Sequence, residues 1–113
     1  YKLYNMFIVS GTPQKEIRQI ANSLRLTKKM KGIFGSPKKK ESHVEDIIKL
    51  NNYNRSDCLF IGDAKADHKA AVANDTRFLL IENEVNSKLF MGINGIHRAS
   101  DLINLQDIIL EKL

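Results

Sequence analysis

Four short, predominantly apolar runs, the first three each followed by a stretch of helical periodicity, constrain this chain more than any other feature. They are LYNMFIV (residues 3–9), GIFG (32–35), CLFIG (58–62) and RFLLI (77–81). A strand with one wet face alternates apolar and polar residues, whereas a strand that is apolar throughout is covered on both faces. After the first run, Ile17, Ile20, Ala21 and Leu24 fall at helical spacing. So do Val44, Ile47 and Ile48 in a helix expected from about residue 40 to 50. DHKAAVAN (67–74) reads as a short helix whose alanines permit close packing on a sheet. The alternation predicts an α/β fold: a Rossmann-like parallel sheet with helices on both faces and right-handed crossovers. At the end of the first run, Gly11 permits a tight turn, Thr12 can cap a helix and Pro13 suits the first helical position. Residues 83–99 show no clear period, and Leu102, Leu105, Ile108, Ile109 and Leu113 make a final amphipathic stretch.

The chain has 113 residues, which is room for one domain. No apolar run approaches the ~20 residues of a membrane helix, so no membrane role is expected. The first residues lack the charged start and long apolar stretch of a signal peptide. The sequence opens on Tyr1 with a strand-like run almost at once, which reads as a cut chain. Its single cysteine, Cys58, rules out an internal disulfide and a cysteine-based zinc site. Set in an apolar run, it reads as an inert thiol of a reducing, cytoplasmic setting. The net charge of +5 comes largely from Lys28, Lys29, Lys31 and from Lys38, Lys39, Lys40. No aromatic residue interleaves with them, so nucleic acid is not the expected partner; a solvated face or a small anionic substrate is.

Ligands of parallel sheets bind beyond the carboxyl ends of the strands. Ser10, Gly11, Asp63 and Asp67 are expected there, with Lys40 at the start of its helix. Asp63 is a hard oxygen ligand suited to Mg²⁺, which takes one or two carboxylates, several waters and substrate phosphate. Ser10 offers a hydroxyl and Gly11 an unobstructed N–H. The helix after Pro13 turns its positive end to the same place. Lys40 adds a mobile cation. Together these offset the negative oxygens of a phosphoryl group. Taken singly, Asp63 could instead cap a helix and Ser10 sit in a plain turn, and a lone lysine such as Lys40 is ordinarily solvated. His43, His68 and His97 lack metal-ligand spacing and read as surface or helix-end residues.

The order FIVSGTP, GSPKKK, IGDAKAD resembles the haloacid dehalogenase superfamily in its phosphatase branch. The resemblance runs from about Phe7 to Ile81 and implies a site. Ser10 would hydrogen-bond the transferring phosphoryl group. Lys40, with Lys38 and Lys39 as close rivals, would balance charge on it. Asp63 would ligate Mg²⁺, and Asp67 would support the metal waters or the lysine. The family's first motif, Asp-x-Asp at the end of an early strand, supplies the nucleophile and the general acid; no apolar strand here ends in it. That strand would lie between those bearing Ser10 and Asp63. The chain therefore reads as the carboxyl-terminal part of the core domain. It has no cap domain between Ser10 and Lys40, because a helix and a strand use up that segment. The expected function is Mg²⁺-dependent hydrolysis of small phosphate monoesters through an aspartyl-phosphate formed upstream. The expected partner is a missing amino-terminal piece or a strand-exchanged copy. Two other readings stay open: a non-catalytic remnant that binds an anion, and a receiver-like or nucleotide-binding module with a complete sheet.

Overall fold

The computed structural model of the chain describes residues 4–93 and 95–101. The amphipathic stretch from Leu102 to Leu113 and the first residue of the opening run, Leu3, lie outside them. The chain divides into two compact units, Tyr1–Leu50 and Asn51–Leu113.

In the first unit, β1 (Phe7–Pro13) pairs in parallel with β2 (Gly32–Ser36). Phe7, Ile8 and Val9 lie opposite Gly32, Ile33 and Phe34. The register then shifts, and pairing resumes between Pro13 and Ser36. The strand thus runs through SGTP, further than the turn signals suggest. Pro13, at ψ 144°, is still extended and precedes helix α1 (Gln14–Ser23) instead of opening it. Thr12 does not cap that helix, which has no side-chain cap. The Gln14 side chain ties the junction to β2: its Nε2 donates to the Ile33 carbonyl (2.8 Å) and its Oε1 accepts from the Gly35 N–H (2.5 Å). Helix α1 closes with Arg25 in the left-handed region (φ 57°). The Leu26 N–H bonds back to the Ala21 carbonyl (2.9 Å) and the Arg25 N–H to that of Asn22 (3.0 Å), a Schellman-type end.

The apolar stripe of α1 is only partly covered. Ala21 is buried, but Ile20 and Leu24 are 47% and 64% exposed. At 100° per residue, a contact centred on Ala21 leaves both of these side chains on one flank. Helix α2 (Lys40–Leu50) buries Val44 and Ile48, as its spacing predicts. It also buries His43, which the sequence suggested was a surface residue. The ring's Nε2 lies 2.8 Å from the Gly35 carbonyl and its centroid 5.2 Å from that of Phe34. The imidazole can occupy this interior position because its polar atom meets a backbone partner.

In the second unit, β3 (Leu59–Gly62), β4 (Arg77–Ile81) and β5 (His97–Ala99) form a parallel sheet in that order. Helix α3 (Lys65–Ala73) crosses from β3 to β4 with Ala70 and Ala71 fully buried. It ends at Asp75 (φ 55°), where the Thr76 N–H reaches the Ala71 carbonyl (3.1 Å). The core comprises Ala71, Phe78, Leu80 and Phe90, flanked by Phe60, Ile93 and Ile96. Phe78 and Phe90 stack with centroids 6.3 Å apart. Burying a phenylalanine such as Phe90 is worth about 1.5–3 kcal/mol.

The stretch without a clear period contains two elements, α4 (Glu84–Leu89) and β5. Arg98 of β5 ties them together by donating to Glu82 (3.0 Å) and to the Phe90 carbonyl (2.9 Å). Among the described residues, no helix is long and apolar enough to cross a membrane.

Candidate functional site

The first unit carries Ser10, Gly11 and Lys40. Strand β1 ends in a small serine turn: the Ser10 Oγ accepts the Thr12 N–H at 3.0 Å. That fixes the oxygen and leaves the hydroxyl hydrogen to donate elsewhere. Gly11 is exposed, and a β-carbon built on it would lie 3.9 Å from Lys40 Cε. The lysine stem therefore passes alongside the Gly11 backbone, so Lys40 and the Ser10–Gly11 turn are brought together. The other two lysines are occupied differently. Lys38 pairs with Asp46, and this hydrogen bond holds the Asp46 carboxyl below its usual pKa. Lys39 is exposed, and its carbonyl accepts the Ser42 and His43 N–H groups at 3.1 Å each, ahead of the α2 turns.

The second unit carries Asp63 and Asp67. Asp63 directly follows β3 and is exposed. Its carboxylate makes no hydrogen bond or ion pair among the described residues, while both backbone groups are held. The Asp63 N–H donates to Asp67 Oδ2 (3.2 Å), which also accepts from the Ala64 N–H (3.1 Å). The Asp63 carbonyl accepts from Asn86 Nδ2 (2.9 Å). Asp67 itself is 6% exposed. At the third position of α3 it reaches back over the helix start, as the acidic member of a capping box does. Glu82, the carboxylate that directly follows β4, is already engaged by Arg98. Among the described residues, Asp63 is therefore the carboxylate directly after a strand that is left to bind something else.

Among the described residues, no three or more His, Cys, Asp or Glu side chains gather as a ready-made metal site. One exposed, preset carboxylate does fit a Mg²⁺ ion, which keeps several waters and takes its remaining ligands from substrate or other carboxylates.

Asn86 was not evident from the sequence, although Asn83-x-x-Asn86 carries the spacing of a helix start. Asn83 Oδ1 accepts the Val85 and Asn86 N–H groups (2.9 and 2.8 Å), and Asn86 Oδ1 accepts the Asn83 N–H (2.8 Å). His68 packs its ring on Phe78 and Phe90, with centroids 5.2 and 5.8 Å away. With Thr76, Arg77 and His97 it lines a cavity of about 280 Å³. Arg77 and His97 begin β4 and β5, so this cavity lies at the amino ends of these strands, whereas Asp63 follows the carboxyl end of the parallel strand β3.

No family model and no curated protein matches the chain. Its structure is similar to that of a haloacid dehalogenase-like family hydrolase from Streptococcus pneumoniae, at a TM-score of 0.77 and 17% identity. The match covers 94% of this chain and 52% of that protein, so the chain spans about half its length. The fold is an α/β fold of the haloacid dehalogenase type.

Proposed function

We propose, starting from this haloacid dehalogenase-like fold, that the chain provides part of a Mg²⁺-dependent phosphatase acting on small phosphate monoesters. The observation that carries the reading is Asp63: a strand-end carboxylate whose backbone is clamped on both sides while its side chain is left exposed. That is the condition expected of a metal ligand, because ordering the ligand beforehand removes an entropic cost at binding. Bound Mg²⁺ would supply positive charge for the phosphoryl oxygens.

Ser10 donates its hydroxyl hydrogen to a phosphoryl oxygen, Gly11 presents its N–H, and Lys40 offsets charge on the group as it transfers. Asp67 contributes by fixing the turn that bears Asp63. The attacking carboxylate comes from outside this chain. It forms a bond to phosphorus as the ester oxygen leaves and takes a proton from a second acid; water then hydrolyses the aspartyl-phosphate. The described strands form two sheets, in which β1 and β3 are terminal. Terminal strands accept a further strand readily, so an amino-terminal piece or an exchanged copy is the proposed partner. The single cysteine fits a reducing, cytoplasmic setting.

The test uses p-nitrophenyl phosphate with Mg²⁺. The 113-residue chain should be inactive by itself. In a full-length protein, Asp63→Asn should lower kcat/KM by roughly a hundredfold or more, about 2.7 kcal/mol. Unchanged turnover of that variant would overturn the metal assignment. A second reading, an anion-binding remnant without chemistry, rests on the absence of an Asp-x-Asp strand end from this sequence; it predicts Mg²⁺ and phosphate binding with no turnover by the full-length protein.

A further inference from the structure

We infer that Asn86 is a positioning residue for the Asp63 carboxylate, setting how tightly a divalent cation is held; this rests on Asp63 being the metal ligand. Asn86 is 4% exposed, and both N–H groups and the oxygen of its carboxamide are engaged. Nδ2 donates to both the Asp63 carbonyl (2.9 Å) and the Ile81 carbonyl (2.8 Å), while Oδ1 accepts the Asn83 N–H (2.8 Å). The network fixes the amide's orientation, since a flipped group would set an oxygen against two carbonyl oxygens.

Gly62 lies opposite Leu80 in the β3–β4 ladder, so Asp63 and Ile81 are the next residues along their strands. Asn86 therefore joins the two strand ends at the point where the ladder stops. With the Asp63 N–H held by Asp67 and the carbonyl held by Asn86, both peptide groups flanking Asp63 are immobilised. What remains to the carboxylate is rotation about its own side-chain bonds. No other uncharged side chain of this size offers two N–H donors together with an acceptor. Aspartate would place an anion against two carbonyls, and serine is too short to span them. Groups that orient a metal ligand typically change metal affinity by 10–100-fold when removed.

The experiment titrates the full-length protein with MgCl₂ alone by calorimetry and follows amide hydrogen exchange around residues 63–64. Asn86→Ala should weaken Mg²⁺ binding about 10–100-fold and speed exchange at the Ala64 amide. Asn83→Ala removes the α4 cap but leaves both Asn86 donors in place. It should lower stability by about 1 kcal/mol while Mg²⁺ affinity stays within roughly twofold of the parent, the error range of such comparisons. If Asn86→Ala does not fold, Asn86→Ser takes its place with the same expectation. Loss of Mg²⁺ binding in Asp63→Asn together with parental affinity in the Asn86 variant would overturn the inference alone. Parental affinity in Asp63→Asn would overturn the metal reading, and the inference with it.

Discussion

Gly62 and Asp67 occupy adjoining space. A β-carbon on residue 62 would sit 2.4 Å from the Asp67 β-carbon and 2.5 Å from its Oδ2. Real β-carbons do not approach so closely, so the end of β3 needs glycine for the Asp67 carboxylate to fold back over the Asp63 turn. Gly62→Ala should therefore force Asp67 off the Asp63 and Ala64 amides. The expected loss is about 1–3 kcal/mol, typical of overpacking, with weaker Mg²⁺ binding. Urea unfolding and metal titration check both.

Asp67 acts through Oδ2, which accepts two N–H groups at the start of α3. Asp67→Ala removes that acceptor and should cost about 1–2 kcal/mol. Asp67→Asn keeps an oxygen at the same place and should lose about half as much, because a neutral acceptor bonds less strongly than a charged one. Equal losses from both substitutions, measured by denaturant midpoints, would contradict this role.

Gly35 is a second position where the backbone leaves no room. A β-carbon there would lie 2.4 Å from the Thr12 carbonyl oxygen and 2.9 Å from Gln14 Cα. Both obstacles are main chain, so no side chain can move aside. Gly35→Ala should destabilise the protein by about 1–3 kcal/mol and disturb the Gln14 bridge to β2. Thermal melting reads the first effect, and amide exchange at residue 35 the second.

Cys58 should be slow to alkylate. Burial pushes its thiol pKa up and the Asp57 carboxylate adds to this, against a smaller opposing effect of Arg55. The thiol also donates to the Asn54 carbonyl (3.3 Å). Because the folded pKa exceeds the unfolded one, the folded state holds its proton longer. The stability this contributes is full below the unfolded value and should be lost as pH rises from there through the higher, folded value. Iodoacetamide should react with the native protein more slowly at pH 8 than with the chain in urea, and the native rate should climb at a higher pH.

Much of the architecture was legible because it rests on local periodicity. RFLLI gave β4 its observed bounds, and Val44 and Ile48 marked the buried face of α2. What escaped depended on contacts distant in sequence. The extension of β1 through SGTP comes from pairing with Ser36, which overrides the turn signals of Gly11 and Pro13. His43 looked polar and exposed, yet the Gly35 carbonyl satisfies its ring. In the site, Asp63 was conspicuous as a carboxylate after an apolar strand. Asn86 was not, since nothing near it in sequence shows that its amide reaches a carbonyl 23 positions away.

That separation bears on how the protein is made. The turn holding Asp63 closes at its front with Asp67, four residues on, but at its back only with Asn86. A growing chain that ends before Asn83 contains the residues of β3, α3 and β4 yet leaves the Asp63 carbonyl without its amide. The turn bearing Asp63, the proposed metal ligand, is thus held on both sides only once the chain extends through Asn86. A chain that stops short at this stage would keep the β3–β4 pair but lack β5 and leave the Asp63 carbonyl unheld.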